Sequence, residues 1–326
     1  MNPLRQLNFD RNIRKAAIIH PGAIGDCVLT LPLAAFLKKT IGFHQVDLIG
    51  RTEYIGFYPA RTAIDRVRSI ESIPLHQLFS QPDDFIKNDH TRLIHTFAEY
   101  EHIISFLGTD NPSFEQNLLL AVHSSHSGEV TMLPMTPAGQ THAARLYMDE
   151  FSKHNPHLEC DVPECTEDIY IRPLPTDMVM GMEILSGIGL SEPASIGLIH
   201  PGSGGVHKCW AVEKFIALAA DLKANGGEPV FLFGPAEQER FSHTVKDNFR
   251  RAGHVLAGLD LQSVFQVLSC VDCAIGNDSG ICHIAGAMGK KTRVIFGPTS
   301  PACYRPLGPN VTVIQADLRD FEPIDK

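Results

Sequence analysis

The sequence predicts an α/β protein whose two similar lobes are each built on a parallel sheet. An apolar run ends at the same three residues, His-Pro-Gly, in 16–22 and again in 196–202, about 180 residues further on. Each run continues into a small-residue turn and a helical pattern, which is how nucleotide-binding α/β units begin. The rest of the chain alternates short apolar strands with helices, as a parallel sheet covered on both faces requires. The duplication therefore predicts two lobes that face a shared cleft.

In the first half, the apolar spacing predicts strands at 16–20, 46–49, 63–70 and 102–106, and helices at 26–39, 53–58, 113–120 and 141–154. Residues 155–177 contain four prolines and clustered acidic side chains, which interrupt regular structure. We therefore expect an interdomain linker there, with an N-terminal domain of residues 1–172 and a C-terminal domain of residues 173–326.

The second half alternates more regularly. It predicts strands at 195–200, 229–233, 254–256, 272–275, 292–296 and 311–315, and helices at 211–224, 236–249, 261–268 and one opening near 279. In such a parallel sheet, ligands bind in the loops at the carboxyl ends of the strands. Three successive loops at this edge carry candidate functional residues.

Length and composition are those of a folded protein. The 326 residues suffice for two cores, and 44% hydrophobic with 20% charged residues shows no bias toward disorder. The net charge of −9 argues against nucleic acid as a partner, because binding the phosphate backbone needs clustered Lys and Arg. It does not exclude a nucleotide, which helix N-termini and a few local cations can hold.

The cysteines and the hydropathy pattern predict a cytoplasmic protein. No apolar run approaches the roughly 20 residues that cross a bilayer, and Met1–Lys15 has neither the apolar core nor the cleavage site of a signal peptide. Most of the eight cysteines lie in apolar runs, so we expect reduced core thiols. Cys160-x4-Cys165 and Cys270-x2-Cys273 leave a zinc site as a disfavoured alternative.

The first loop, residues 201–210, has the composition of a phosphate-binding turn. Gly202 and Gly204 allow backbone amides to approach phosphate oxygens closely. Ser203 offers a hydroxyl and Lys208 a point charge for a pyrophosphate. The alternative is a plain strand-to-helix turn with a solvated lysine. The combination of glycines, Ser, Lys and Trp favours phosphate binding.

The second loop places Glu237 just beyond the strand at 229–233. A carboxylate at that position is suited to accept hydrogen bonds from ribose hydroxyls. It equally suits the positive N-terminal end of its own helix, and the residues alone do not separate the two interpretations.

The third loop, 276–283, carries Asp278, Ser279, Gly280 and His283. Asp278 or Ser279 is expected to cap the following helix, while the amides of Ser279 and Gly280 would face an anion. Capping alone explains an Asp-Ser-Gly start. His283 lies within the first turn or so of this helix, where a packed, hydrogen-bonded histidine is the alternative to a cleft-facing one.

In the first half, the turn 22–26 places Asp26 at a helix N-terminus. An N-cap is one interpretation. If the lobes face each other, however, Asp26 projects toward the bound pyrophosphate and is placed to accept a proton from an attacking hydroxyl. The turn is no dinucleotide fingerprint, because it lacks the third glycine.

Three blocks, taken in order, resemble glycosyltransferase family 9, the heptosyltransferases of the lipopolysaccharide inner core. They are Gly22-x-x-Gly25-Asp26-x-x-x-Thr30-x-Pro32, then His200-Pro201-Gly202-Ser203 with Lys208-x-Trp210, then Asp278-Ser279-Gly280-x-x-His283 followed by Phe296-Gly297-Pro298-Thr299. The resemblance implies a GT-B architecture of two Rossmann-like domains, with the acceptor in the N-terminal one and the sugar nucleotide mainly in the C-terminal one. It also implies inverting transfer with no metal ion and no cofactor.

By this resemblance Asp26 is the catalytic base, and Lys208 and Ser203 bind the donor phosphates, Lys208 also stabilising charge on the leaving diphosphate. Glu237 matches the carboxylate that holds the ribose, and the loop of Asp278 to His283 matches the donor site. The implied donor is ADP-heptose or another nucleoside-diphosphate sugar. The implied acceptor is a lipopolysaccharide-type or other glycan, which brings transient contact with the inner membrane face.

Other functions are weighed against this one. A nicotinamide-dependent dehydrogenase needs the full dinucleotide fingerprint and a ribose-binding acid, and neither is visible. A catalytically silent nucleotide-sugar binder on the same lobes would bind a donor without transferring it. A two-lobed sugar epimerase would convert the nucleotide sugar with no acceptor.

Overall fold

The computed structural model describes residues 13–87, 89–124, 127–137, 139–158, 160–190 and 195–321. The chain divides into two compact units. Unit 1 comprises Met1–Pro21, Leu33–Met135 and Tyr147–Val162, and unit 2 comprises Gly22–Pro32, Thr136–Leu146 and Pro163–Lys326. Most of the N-terminal segment that the sequence predicts to be neither signal peptide nor anchor, residues 1–12, lies outside the described residues.

Unit 1 contains a five-stranded parallel sheet in the order β3-β2-β1-β4-β5. The strands are β1 Lys15–Ile19, β2 Gln45–Gly50, β3 Arg66–Ser69, β4 His102–Ser105 and β5 Glu129–Met132. The central strands β1, β2 and β4 are almost wholly buried, as the apolar runs predict.

Unit 2 contains a six-stranded parallel sheet in the order β11-β10-β9-β6-β7-β8. Its strands are β6 Ser195–His200, β7 Gly227–Phe233, β8 His254–Ala257, β9 Cys273–Asn277, β10 Lys291–Phe296 and β11 Val311–Gln315. The order reverses between β6 and β9, so the loops that leave these neighbouring strands diverge and open a crevice. The predicted α/β fold class, with a parallel sheet in each half, is confirmed.

The helices lie between the strands, as parallel connections require. They are α1 Ile24–Leu29, α2 Leu31–Lys39, α3 Thr52–Ile55, α4 Pro82–Lys87, α5 Thr91–Phe97, α6 Pro112–His123, α7 Ala143–His154, α8 Pro175–Ser186, α9 Val212–Ala224, α10 Pro235–Arg240, α11 His243–Ala252, α12 Leu261–Cys270, α13 Gly280–Ala287 and α14 Pro301–Tyr304. Short 3₁₀ helices cover Ile70–Ser72, Leu75–Phe79, Pro156–Leu158, Val206–Lys208 and Leu318–Asp320.

Two helices predicted as continuous are each divided. The predicted helix 26–39 is α1 followed by α2, because Pro32 has no N–H to continue the α1 ladder and its ring crowds the preceding turn. The predicted helix 236–249 is α10 followed by α11, since the Ser242 hydroxyl accepts a hydrogen bond from the Val245 amide at 3.3 Å and starts a new helix.

Other elements were missed because their sequences carry weak local signals. The edge strand β5 has four residues, and α4 and α5 have six and seven. The predicted linker 155–177 ends inside α8, which begins at Pro175, a residue suited to the first helical turn.

Each unit has its own apolar core. In unit 1, α5 and α6 pack on the sheet through Phe97 and Phe114, both fully buried. In unit 2, Phe215, Phe231 and Phe249 are fully buried between the sheet and the helices α9 and α11. The side chains of these cores come mainly from strands and helices, whereas the loops at the carboxyl ends of β6 and β9 carry polar residues.

The cysteines are all free thiols, and Cys27 and Cys282 are buried as the sequence predicts. Among the described residues, no three His, Cys, Asp or Glu side chains are grouped to hold a metal ion. None of the described helices combines the length and the apolar character that crossing a bilayer needs.

Candidate functional site

A pocket of about 430 Å³ opens at the crevice of unit 2, beside the carboxyl ends of β6 and β9. All of its lining residues belong to unit 2, since the short segment Gly22–Pro32 is part of that unit. The lining residues are Ala23, Gly25, Asp26, Leu29, Ser203, Gly204, Gly205, Lys208, Asp278, Ser279, Gly280, His283, Thr299 and Tyr304. The structure thus brings Asp26 and Lys208 to the same pocket.

The loop after β6 exposes backbone amides to this pocket. The Ser203 amide donates to the Cys209 sulfur, whereas none of the described residues accepts a hydrogen bond from the amides of Gly204 and Gly205, which line the pocket. Successive amides without an acceptor form a concave site for an anion. The Lys208 ammonium lies beside them, 28% exposed in its side chain.

The Ser203 hydroxyl does not face the pocket as a donor. It is buried and donates to the backbone carbonyl of Asp278 at 2.9 Å, which ties the first loop to the third. In this conformation neither the hydroxyl hydrogen nor the amide of Ser203, which donates to the Cys209 sulfur, is free for an anion.

Asp278 is the centre of a buried polar cluster. Its Oδ2 accepts hydrogen bonds from Lys208 Nζ at 2.9 Å and from Thr299 Oγ1 at 2.8 Å. His283 Nε2 lies 3.6 Å from Oδ1 of the same carboxylate. Burial favours the neutral acid, but the His283 imidazole and the Lys208 ammonium outweigh it and hold the pKa of Asp278 well below its usual range. The carboxylate therefore stays charged and fixes the position of Lys208.

The expected side-chain cap at the start of α13 is absent. Ser279 occupies the N-cap position, but its side chain makes no capping hydrogen bond to the backbone. Asp278 turns instead toward Lys208 and Thr299. His283 is buried, as the packed alternative expects, yet it also lines the pocket, and its Nδ1 has no partner in the described part of the chain.

Asp26 reaches the pocket because α1 packs closely on α13. A Cβ built on Gly280 would lie 2.5 Å from Ile24 Cβ, and one built on Gly25 would lie 3.0 Å from His283 Cδ2. Glycine at position 280 is needed for this approach, and glycine at position 25 avoids a tight contact with the His283 ring. Asp26 is the third residue of α1, not its N-cap, and its Oδ2 accepts the Ala23 amide at 3.0 Å. Asp26 therefore binds the first turn of its own helix and also lines the pocket.

Two predicted site residues do not line the pocket. Glu237 is 3% exposed, and its Oε2 accepts the Gly234 amide at 2.8 Å, the role at its own helix N-terminus that the sequence also allowed. The carboxylate packs so closely on Gly202 that a Cβ at that position would overlap it. Gly202 therefore makes room for Glu237 beneath the loop.

Sequence reasoning missed Thr299 and Tyr304. Thr299 was visible as the end of the Phe-Gly-Pro-Thr block, but nothing local links it to Asp278, 21 positions earlier. Tyr304 carried no signal in the sequence. Burial, the neighbouring Cys303 and the charges of Asp26 and Asp278 raise the pKa of Tyr304, so its hydroxyl stays neutral near both carboxylates.

Comparisons with known proteins agree with the geometry. Residues 186–323 match the family model for glycosyltransferase family 9 (heptosyltransferase). Lipooligosaccharide heptosyltransferase 2 of Haemophilus influenzae is 29% identical over 131 residues, which span 39% of this chain and 38% of that protein. The match to this curated relative thus covers less than two fifths of its length.

Solved structures share the fold over nearly the whole chain. A glycosyl transferase family 9 protein from Veillonella parvula gives a TM-score of 0.69 at 18% identity, covering 93% of this chain and 86% of that one. The E. coli heptosyltransferase WaaC with ADP gives 0.66 at 18% identity, covering 95% and 96%. The GT-B fold class that the resemblance implied is confirmed.

Proposed function

We propose that the chain is a family 9 glycosyltransferase that uses a nucleoside-diphosphate sugar, and the match of residues 186–323 to the model of that family supports this proposal. The observation that carries the proposal is the shared pocket: Asp26 and Lys208 line it together with the amides of Gly204 and Gly205, two consecutive amides that lack an acceptor among the described residues. A general base, a cation and an anion-binding loop in one pocket suit transfer from a diphosphate leaving group.

The donor diphosphate is proposed to bind the amides of Gly204 and Gly205, with the Lys208 ammonium beside it. Amides held in fixed orientation stabilise negative charge without reorganising. The relatives favour ADP-heptose as the donor, since the WaaC structure contains ADP and the curated relative is a lipooligosaccharide heptosyltransferase. A lipopolysaccharide-type glycan is the corresponding acceptor.

In the proposed reaction, the acceptor hydroxyl oxygen attacks the anomeric carbon from the face opposite the diphosphate. The bond from that carbon to the phosphate oxygen breaks, and its electron pair leaves with the diphosphate. Asp26 takes the hydroxyl proton, and the configuration at the anomeric carbon inverts. Lys208 and the loop amides stabilise the leaving group, so the proposed transfer needs no metal ion.

The first test measures ADP binding by calorimetry and then ADP release from ADP-heptose with lipid A core acceptors, with and without EDTA. We expect Asp26→Asn to lower turnover by about 10²–10⁴-fold, the typical contribution of a general base, while ADP affinity is kept. EDTA is expected to leave the rate unchanged.

Asp177→Asn is the matched control. Asp177 is the third residue of α8, where its Oδ2 accepts the Leu174 amide at 2.8 Å, as Asp26 does for Ala23. It does not line the pocket. Equal turnover in Asp26→Asn and Asp177→Asn would show that Asp26 only supports its helix. ADP binding without any transfer would favour the silent binder, and conversion of the donor without acceptor would favour the epimerase.

A further inference from the structure

Two side chains from outside the glycine-rich loop hold its carbonyl groups. Asn277 is the last residue of β9 and is fully buried. Its Nδ2 donates to the carbonyls of Pro201 at 2.8 Å and Gly202 at 3.3 Å, and its Oδ1 accepts the Trp210 amide at 3.0 Å. One side chain therefore joins the beginning and the end of the loop.

Arg240, at the end of α10, holds the next two carbonyls. Its Nη1 donates to the carbonyl of Ser203 at 3.2 Å, and its Nη2 donates to the carbonyl of Gly204 at 3.4 Å. The planar guanidinium spans both groups at once. Four consecutive carbonyls, from Pro201 to Gly204, are thus bound to protein donors.

This arrangement determines where the amides point. A trans peptide unit is planar, and its C=O and N–H point in opposite directions. Carbonyls held toward Asn277 and Arg240 therefore turn the following amides away from these residues. The amides of Gly204 and Gly205, which follow the carbonyls bound by Arg240, lack an acceptor among the described residues and belong to residues that line the pocket. The Ser203 amide, which follows a carbonyl bound by Asn277, donates to the Cys209 sulfur, so Asn277 anchors the loop beneath these two amides.

We propose that Asn277 and Arg240 are positioning residues that orient the loop amides toward the diphosphate without touching it. Neither residue lines the pocket. The identity of the anion rests on the proposed function, whereas the orientation of the loop does not. The two parts are therefore tested by separate measurements.

The first variant is Asn277→Asp. It keeps the size of the side chain and the acceptor for Trp210, but it replaces the donor with an oxygen facing the carbonyls of Pro201 and Gly202. Asn117→Asp is the matched control, because Asn117 is also fully buried and its Nδ2 also donates to two carbonyls, those of Leu78 at 3.0 Å and Ser80 at 2.9 Å. Asn117 lies in unit 1.

Trp210 reports on the loop without any nucleotide, because it is the single tryptophan of the chain. We expect Asn277→Asp to make Trp210 fluorescence more easily quenched by acrylamide and to weaken ADP binding by about tenfold. Asn117→Asp is expected to lower the melting temperature only. The proposal would be overturned if the Asn277→Asp variant showed the same Trp210 quenching and the same ADP affinity as the Asn117→Asp variant.

A second pair keeps the test decisive if Asn277→Asp does not fold. Arg240→Gln removes the guanidinium from a half-buried position, and Arg240→Lys retains a donor that reaches one carbonyl. Arg250→Gln is the control, because the Arg250 side chain is exposed on α11. We expect weaker ADP binding in Arg240→Gln and partial recovery in Arg240→Lys, and equal binding in Arg240→Gln and Arg250→Gln would contradict the proposal. If the wild-type chain does not bind ADP, the proposed function fails, and Trp210 quenching still decides the role of Asn277.

Discussion

At the scale of single residues, Asp278 shows how one carboxylate organises the pocket. It fixes Lys208 and Thr299 through Oδ2, and its backbone carbonyl binds the Ser203 hydroxyl. The carboxylate is buried but paired, so its charge is maintained where an isolated charge would be costly. The side chain of Asp278 therefore holds Lys208 and Thr299 and does not cap α13.

Replacing Asp278 by Asn tests this pairing. Because the folded-state pKa of Asp278 is depressed, its carboxylate stabilises the fold above the unfolded pKa of 3.8, and this stabilisation is lost as the pH falls further. We expect Asp278→Asn to lower the free energy of unfolding by about 1–3 kcal/mol at pH 7, where Lys208 loses its partner. Urea unfolding at pH 7 and at pH 3 measures it. The difference from wild type should shrink at the lower pH, and a constant difference would contradict the assignment.

At the scale of elements, the packing of α1 on α13 delivers Asp26 to the pocket. Both helices present glycine at the contact, Gly25 in α1 and Gly280 at the start of α13. Because glycine has no Cβ, the two backbones lie closer together than larger residues at these positions would allow. Gly25 and Gly280, which belong to the motifs of the sequence, therefore have a structural role in the contact between α1 and α13.

Gly280→Ala should separate these two helices. The added Cβ would lie 2.5 Å from Ile24 Cβ and 3.3 Å from the Gly25 amide nitrogen, so α1 must move. Overpacking of this kind costs about 1–3 kcal/mol of stability, and we expect turnover to fall with it because Asp26 is displaced. Gly204→Ala is the stability control, since its Cβ would meet nothing within 4 Å. Equal unfolding free energies of the two variants in urea would refute the close contact.

At the scale of the whole molecule, the pocket belongs to one unit although its residues come from distant parts of the chain. Gly22–Pro32 precedes most of unit 1 in sequence but clusters with the C-terminal sheet. A ligand in this pocket therefore contacts only unit 2 among the described residues that line it. Binding is expected to stabilise that unit first, because a ligand stabilises the state that binds it.

Hydrogen exchange in the presence of ADP tests this assignment. We expect slower amide exchange in Gly22–Pro32, in 201–210 and in 278–283, and smaller changes in the unit 1 strands β2 and β3. Mass spectrometry of peptides with and without ADP measures the difference. Protection confined to unit 1 would place the nucleotide elsewhere.

Much of the fold follows from local sequence patterns. The buried strands β1 and β6 were predictable because each is a short apolar run that ends at a turn, and the two starts predicted two parallel α/β units. The sequence predicted an anion site at the glycine-rich loop and Lys208 because their chemistry is contiguous in sequence, and the structure places Gly204 and Lys208 in one pocket. Local patterns gave a wrong prediction near Pro32 and Ser242, where the helical spacing of apolar residues continues but one helix ends and another begins.

Contacts between distant residues required the tertiary structure. Glu237 has the chemistry of a ribose ligand, yet its burial depends on Gly202, which leaves room for it. Tyr304 carries no local signal. Nothing local links Thr299 to Asp278 or Asn277 to the loop after β6, because the two partners in each case lie at or beyond the ends of different strands. Sequence periodicity thus determined the strands, the helices and the chemical class of the loops. The tertiary structure decided which side chains face the pocket, because that depends on strand order and on close backbone approaches between segments far apart in the chain.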